Sequence, residues 1–177
     1  LLDSPSALKL MEAPRGSFKT SLIIAWIIRL ILNNPNVRIF YGSDVYTNAL
    51  KVVDAIKTYF ERCTLLREVF GDYVGENWRR ESLTVSKRTK VLKDPTLSCF
   101  ATDKDITGGH CDVMVWDDIV TDKNSRTSEG VQKAIGIFES EIAAGSDAVD
   151  VLAAMAVADQ RLGWCLAEVG RQPEAAA

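Results

Sequence analysis

Short apolar runs alternate with stretches of helical apolar spacing along most of the chain. Runs bounded by turn-forming residues predict three core strands, at residues 7–12, 37–41 and 112–116. Residues 83–85 and 97–100 predict a smaller pair of strands, for which antiparallel pairing is an option.

Helical patterns occupy the intervals between these strands. They lie at residues 19–32, 49–60 and 128–142. Near-continuous apolar strands that alternate with helices are typical of a mainly parallel sheet with helices on both faces. The predicted fold class is therefore α/β, and ligands of such sheets bind beyond the carboxyl ends of the strands.

Residues 143–177 differ from the rest of the chain because they are rich in alanine. Val149, Leu152, Ala156 and Val157 fall near one face of a helix. The pattern therefore predicts a core domain over residues 1–142, followed by a helical tail over residues 143–177 that contains an Ala-rich C-terminal helix.

Composition places the chain among ordinary globular proteins. It has 177 residues, of which 47% are hydrophobic and 25% charged, with a net charge of −3. These values exclude a collagen-like or wholly disordered chain and fit one domain, or one domain with a partial second. The acidic balance gives no electrostatic sign of nucleic-acid binding. Residues 86–93 form the one dense basic stretch, which is either a phosphate-contacting surface or a solvated hairpin.

The cysteines do not indicate a zinc site, and the apolar runs do not indicate a membrane-spanning segment. The four cysteines form no C-x-x-C pair and accompany a single histidine, so we expect reduced cysteines rather than a zinc site. The longest apolar run, residues 21–32, contains Arg29 and falls short of the roughly 20 residues of a membrane span. We expect neither a transmembrane segment nor a signal peptide, and no membrane partner.

Residues 13–21, A-P-R-G-S-F-K-T-S, approximate the phosphate-loop pattern G-x-x-x-x-G-K-[ST]. Lys19 and Thr20 match, whereas Ala13 and Phe18 replace the two glycines. Such a loop binds phosphate oxygens through backbone amides, the lysine reaches the β- and γ-phosphates, and the hydroxyl binds Mg²⁺. The predicted cradle consists of Pro14, Arg15, Gly16, Ser17, Phe18, Lys19 and Thr20.

This loop has an ordinary alternative, namely a strand, a turn and a helix with no ligand. Phe18 is the residue least suited to a phosphate loop. Its side chain must point out of the cradle, and its backbone must adopt a conformation that glycine usually supplies.

The strand at residues 112–116 ends in two carboxylates, Asp117 and Asp118. In a nucleotide hydrolase the first would bind Mg²⁺ and the second would orient and deprotonate the attacking water. The alternative is a cap on the following helix or loop. Lys19 and Thr20 follow another strand of the same sheet, so the sequence predicts that both half-motifs meet at one edge.

Four stretches together resemble the ATPase domain of tailed-phage large terminase subunits, the DNA-packaging motor proteins. They are K-L-M-E-A-P-R-G-S-F-K-T-S at residues 9–21, R-I-F-Y-G-S-D at 38–44, N-W-R-R at 77–80 and I-T-G-G-H-C-D-V-M-V-W-D-D-I-V-T-D at 106–122. The resemblance covers about residues 5–142. The last stretch is the most specific.

The resemblance implies a RecA-like P-loop core that hydrolyses ATP with Mg²⁺ to move viral double-stranded DNA into a procapsid. Its subunits would form a homo-oligomeric ring on the portal protein, with the small terminase subunit as a further partner. The place of action would be the host cytoplasm and, transiently, the procapsid portal. Asp117 would lie beside Mg²⁺, Asp118 would be the catalytic carboxylate where many relatives carry Glu, and Arg15 would sense or stabilise the γ-phosphate.

The resemblance also suggests an arginine that acts on a neighbouring subunit's nucleotide. The candidates are Arg79, Arg80, Arg88 and Arg126, and each is otherwise a solvated surface arginine. Ser43 and Asp44 are predicted to cap a helix, and Trp78 is predicted to pack in the core.

After Ile142 the resemblance ends. The family continues with a further strand that carries a coupling motif and then with a nuclease domain, and neither is recognisable in this sequence. Asp147 and Asp150 faintly resemble the last acidic motif of that nuclease. We therefore expect an ATPase core with its middle missing, as a natural remnant, an engineered deletion or a joining of separate segments. The alternative functions are a catalytically incompetent nucleotide- or partner-binding remnant, or another P-loop ATPase such as a helicase.

Overall fold

The computed structural model describes residues 8–13, 16–101, 109–117 and 150–156. Its strands are β1 (Leu8–Ala13), β2 (Ile39–Ser43), β3 (Ser82–Leu83), β4 (Leu97–Ala101), β5 (Val113–Asp117) and β6 (Asp150–Ala156). Its helices are α1 (Lys19–Asn33), α2 (Tyr46–Arg62) and α3 (Thr64–Phe70).

The strands within these ranges form one sheet in the order β1–β6–β5–β2–β4–β3. All neighbouring pairs are parallel except β3 and β4, which pair antiparallel. The predicted α/β class with a mainly parallel sheet is therefore confirmed. The carboxyl ends of β1, β6, β5, β2 and β4 lie at one edge of the sheet, as parallel pairing requires.

The main buried cluster lies between the sheet and the first two helices. Ile23, Ile27 and Ile31 of α1 recur at helical spacing and are fully buried. They join a cluster that includes Ile56 of α2 and Ile39 of β2. Burial of each such side chain contributes about 1.5–3 kcal/mol, so this packing fixes the orientation of α1 on the sheet.

The opposite face of the sheet carries aromatic side chains around β2. Gly42 lies between Phe100 of β4 and Trp116 of β5, which are its partners in register. The two rings meet edge to face, with centroids 4.7 Å apart and an interplanar angle of 89°. A Cβ atom on Gly42 would lie 2.7 Å from atoms of both rings, so the close fit requires glycine. A helix over this face stays a prediction.

An ion pair lies at the amino-terminal edge of the sheet. Arg38 precedes β2 and Asp112 precedes β5, and the guanidinium donates to both carboxylate oxygens at 3.1 and 2.6 Å. The backbone N–H of Arg38 donates to the same carboxylate at 2.8 Å. These hydrogen bonds hold the pKa of Asp112 below its usual value and raise the pKa of Arg38. The pair thus fixes the register of β2 and β5 at the edge opposite Asp117.

Two sequence predictions about the strands are wrong. Residues 97–100 do not belong to a separate smaller pair, because β4 also pairs with β2 in the main sheet. Residues 150–156 are a strand rather than part of an Ala-rich helix, and they lie between β1 and β5. A short apolar run is compatible with a strand that is paired on both sides as well as with a helix, and pairing on both sides outweighs helix propensity here.

The remaining predictions concern residues outside the described ranges, the cysteines and membrane-spanning helices. The helix at residues 128–142, the boundary at residue 142 and most of residues 143–177 lie outside the described ranges. In the described part of the chain, Cys63, Cys99 and Cys111 form no disulfide bond, and Cys165 lies outside that part. Among the helices described, none has the length and apolarity needed to cross a membrane.

Candidate functional site

The loop between β1 and α1 adopts a left-handed backbone at two positions. Gly16 has a φ of 83° and Phe18 has a φ of 59°. Among the described residues, Phe18 is the one non-glycine with a positive φ. A side chain costs roughly 1–2 kcal/mol in this region. The Phe18 side chain is 76% exposed and therefore points out of the loop. The backbone of Phe18 adopts a conformation that glycine usually supplies, as the sequence predicted.

Helix α1 begins at Lys19 with an electropositive end. Phe18 provides no side-chain cap, and no acidic residue lies in the first turn. The first backbone N–H groups of a helix carry partial positive charge and bind anions readily. Lys19 is itself buried at this end and adds a full positive charge. The site therefore combines the features that favour a phosphate group.

Thr20 links this helix to the acidic end of β5. Its hydroxyl Oγ1 donates a hydrogen bond to Oδ2 of Asp117 over 2.9 Å. Asp117 is the last residue of β5 and is 4% exposed. A carboxylate buried to this extent requires hydrogen-bond donors or a cation nearby. The predicted meeting of the two half-motifs at one edge of the sheet is thus observed.

Tyr41 is a member of this site that the sequence pattern did not reveal. Its hydroxyl donates to the same Oδ2 atom of Asp117 over 2.8 Å. Ser43, two residues further along β2, is buried and lies in register with Asp117. Alternation along a strand places Tyr41 and Ser43 on one face, but only the register of β2 against β5 shows that this face carries Asp117.

The donor atoms at this edge suit a magnesium ion. Thr20 and Asp117 offer hydroxyl and carboxylate oxygens, which are the ligands that Mg²⁺ prefers. In the part of the chain that the structure describes, no group of three or more His, Cys, Asp and Glu side chains comes together. A Mg²⁺ ion held by one or two protein groups takes its other ligands from phosphate oxygens and water. The residues present therefore fit a metal that arrives with a nucleotide.

The other predicted site residues are placed only in part. Gly16 is exposed and Ser17 is half-buried in the turn before α1. Pro14, Arg15, Asp118, Arg126 and Asp147 lie outside the described residues. Asp150 opens β6 and is in register with Val113, which puts its backbone at the edge opposite Asp117.

Arg88 is not a solvated surface arginine, because it is half-buried and hydrogen-bonded to the backbone. Its guanidinium donates to the carbonyl oxygens of Asp94 at 2.6 Å and Val37 at 3.1 Å. Burial and the nearby Arg38 lower its pKa. Because these partners precede β4 and β2, Arg88 ties the loop before β4 to the amino-terminal edge of the sheet. Arg79 and Arg80 are exposed.

The basic stretch at residues 86–93 forms a loop that is anchored at the same amino-terminal edge. The side chain of Asn36 accepts hydrogen bonds from the backbone N–H groups of Thr89 at 3.0 Å and Lys90 at 2.8 Å. Lys87, Lys90 and Lys93 are exposed on it. The loop thus presents positive charge at the edge opposite the phosphate loop.

Two further predictions have clear outcomes. Trp78 packs against the core and donates from Nε1 to Glu61 over 2.6 Å, which confirms its packing role. The helix-capping prediction for Ser43 and Asp44 is wrong, because α2 begins at Tyr46 with Val45 at the capping position and Ser43 ends β2.

Comparison with known proteins adds no relative. A scan against models of protein families gives no match, and a search of curated proteins finds no significantly similar sequence.

Proposed function

We propose that this chain is the ATPase core of a tailed-phage large terminase subunit, in which ATP hydrolysis drives viral double-stranded DNA into a procapsid. The observation that carries the proposal is the hydrogen bond between Thr20 and Asp117. It joins the helix that follows a phosphate-loop sequence to the acidic end of a core strand. Both belong to the edge at which parallel sheets bind ligands.

The position of β6 supports a RecA-like arrangement for this core. In the terminase family, a further strand follows the strand that ends in two carboxylates. Here β6 follows β5 in the chain. It pairs with β1 on one side and with β5 on the other. It therefore contacts both strands that lead into the candidate site, although its sequence shows no coupling motif.

The phosphates of ATP are proposed to bind at the amino end of α1. Gly16, Ser17 and Phe18 offer backbone N–H groups there, and Lys19 offers a cation for the β- and γ-phosphates. Pro14 and Arg15 complete the loop in sequence, and Arg15 is proposed to contact the γ-phosphate.

Thr20 and Asp117 are proposed to hold Mg²⁺, which when bound neutralises charge on the phosphate oxygens. Asp118, the next residue in sequence, is proposed to orient the attacking water and accept its proton. Aspartate is shorter than glutamate by one methylene, so we expect the water to be bound closer to the backbone than in members of the terminase family that carry Glu.

Double-stranded DNA, the portal protein and the small terminase subunit are the proposed partners, and a ring of like subunits docked on the portal is the proposed assembly. This would operate in the host cytoplasm. The anchored basic loop at residues 86–93 is the surface that we assign to DNA phosphates. This loop and the phosphate loop lie at opposite edges of the sheet, so bound DNA would not cover the proposed nucleotide site.

Mg²⁺-dependent release of phosphate from ATP tests this proposal. We expect that the chain hydrolyses ATP and that DNA stimulates this activity. Both Lys19→Ala and Asp118→Asn should abolish it. The controls are Lys51→Ala and Asp54→Asn, which change exposed residues of α2. An equal background rate in the wild type and both site variants would show that the catalytic assignment is wrong.

The outcome also separates the alternatives. Nucleotide affinity without turnover, even with DNA and portal present, would select a binding remnant. Turnover that responds to a small molecule instead of DNA would select another P-loop class.

A further inference from the structure

Tyr41 brings a hydroxyl into the buried centre of the sheet. Its side chain is 1% exposed and lies on the face of β2 that packs in the main core. The phenolic oxygen donates to Oδ2 of Asp117 over 2.8 Å. A phenylalanine would fill the same space and would require no hydrogen-bond partner, so the variant Tyr41→Phe measures what the hydroxyl contributes.

Two hydroxyls converge on one carboxylate oxygen. Thr20 and Tyr41 both donate to Oδ2 of Asp117, at 2.9 and 2.8 Å. They approach from different elements, the start of α1 and the middle of the central strand β2. Two donors on one oxygen fix the rotation of the carboxylate about its Cβ–Cγ bond.

The two donors differ in how firmly they are held. Thr20 follows a loop with two left-handed residues, and its hydroxyl is also the group proposed to meet Mg²⁺. Tyr41 is held by strands on both sides, because β2 pairs with β4 and β5. The donor on the rigid sheet can keep the carboxylate in place while Thr20 rearranges on binding.

We propose that Tyr41 is a positioning residue that orients the Asp117 carboxylate for a Mg²⁺–nucleotide complex. This role rests on the proposed function. Hydrogen-bond partners of metal-binding groups typically change metal affinity by roughly 10–100-fold when they are removed. Tyr41 acts through Asp117, so its loss should lower the affinity for the metal rather than weaken the contacts between the loop and the phosphates.

Calorimetric titration with ADP tests the role directly. Nucleotide affinity is measured for the full chain in EDTA and across a series of Mg²⁺ concentrations. In Tyr41→Phe, the Mg²⁺ concentration that gives half of the full gain in ADP affinity rises by about tenfold or more. Affinity in EDTA stays within about twofold of the wild type, because Lys19 and the loop amides are unchanged.

Tyr73→Phe is the matched control. Tyr73 is also a buried tyrosine, but it stacks on Phe60 with centroids 5.5 Å apart and belongs to the loop after α3. Its variant keeps the wild-type dependence on Mg²⁺. Excess Mg²⁺ restores wild-type ADP affinity to Tyr41→Phe, which a misfolded variant does not allow.

Three results would overturn the role of Tyr41. They are an unchanged Mg²⁺ dependence in Tyr41→Phe, an equal loss of affinity in EDTA, and a loss that excess Mg²⁺ does not restore. In each case, binding of Mg²⁺–ADP by the wild type would still support the proposed nucleotide site. If the wild type binds no ADP with or without Mg²⁺, the proposed function fails together with this role.

Discussion

The hydroxyl of Thr20 donates a 2.9 Å hydrogen bond to the carboxylate of Asp117 across 97 positions of sequence. Thr20 lies in the first turn of α1, and Asp117 ends β5. Strand β6 separates β5 from β1, the strand that leads into the phosphate loop. The bond therefore links the helix that follows β1 to a strand that is not a neighbour of β1 in the sheet, and it defines the candidate site.

Removal of this bond should weaken the fold as well as ligand binding. Thr20→Ala leaves a buried carboxylate with one donor fewer, which costs about 1.5–3 kcal/mol in free energy of unfolding. Thr20→Ser keeps the hydroxyl and should lose less than half of that. Urea unfolding of the three proteins measures the difference. An equal loss in both variants would assign the effect to the methyl group instead.

Phe18 offers a test of the loop conformation. Phe18→Gly removes the backbone strain at φ 59° and should raise the free energy of unfolding by about 0.5–1 kcal/mol. Little burial is sacrificed, because the ring is 76% exposed. Phe18→Ala keeps a Cβ atom and should give no gain in the same urea titration. A similar gain in both variants would point to the exposed ring rather than the backbone.

The ion pair of Arg38 and Asp112 should make stability depend on pH. The folded-state pKa of Asp112 lies below its ordinary value of 3.8, so the pair stabilises the fold above that value. The contribution is lost as the pH falls through the lower folded-state pKa. The difference in unfolding free energy between the wild type and Asp112→Asn should therefore shrink from about pH 6 to pH 3. A difference that stays constant over this range would contradict the linkage.

The basic loop should contribute to DNA binding through phosphates alone. Neutralisation of Lys87, Lys90 and Lys93 to Gln should weaken binding equally for all DNA sequences. The slope of log affinity against log salt should fall by about 0.9 for each DNA phosphate that the loop no longer neutralises. Fluorescence titrations at several salt concentrations measure both effects.

A control for the loop variant neutralises the same number of charges elsewhere. Lys51, Arg62 and Arg67 are exposed on α2 and α3, and their change to Gln should have a smaller effect. Equal slopes for the two triple variants would show that net charge, and not the loop, governs the interaction.

The sequence predicts the elements whose pattern is unambiguous. The isoleucines of α1 recur at helical spacing, and the apolar run of β5 stops at two aspartates, so both elements and their meeting edge follow from the pattern. β6 is missed because its short apolar run is compatible with both a helix and a strand, and only pairing with its two neighbouring strands decides between them.

Contacts that depend on register or loop geometry are not predictable in this way. The hydrogen bond from Tyr41 to Asp117 requires the alignment of β2 with β5. The anchoring of Arg88 on two carbonyl oxygens depends on how the loop before β4 folds back. α3 has only seven residues and buries none of them, so it is too short for helical spacing to be recognised in the sequence.

The account is tested most directly by the rate of phosphate release from ATP in wild type and Asp117→Asn, each with and without Mg²⁺. We predict Mg²⁺-dependent release by the wild type and a fall of about a hundredfold or more in Asp117→Asn, since phosphoryl transfer depends on fixed electrostatic contacts. Equal rates in the two proteins, or a rate that does not respond to Mg²⁺, would contradict the assignment of this edge as the nucleotide site.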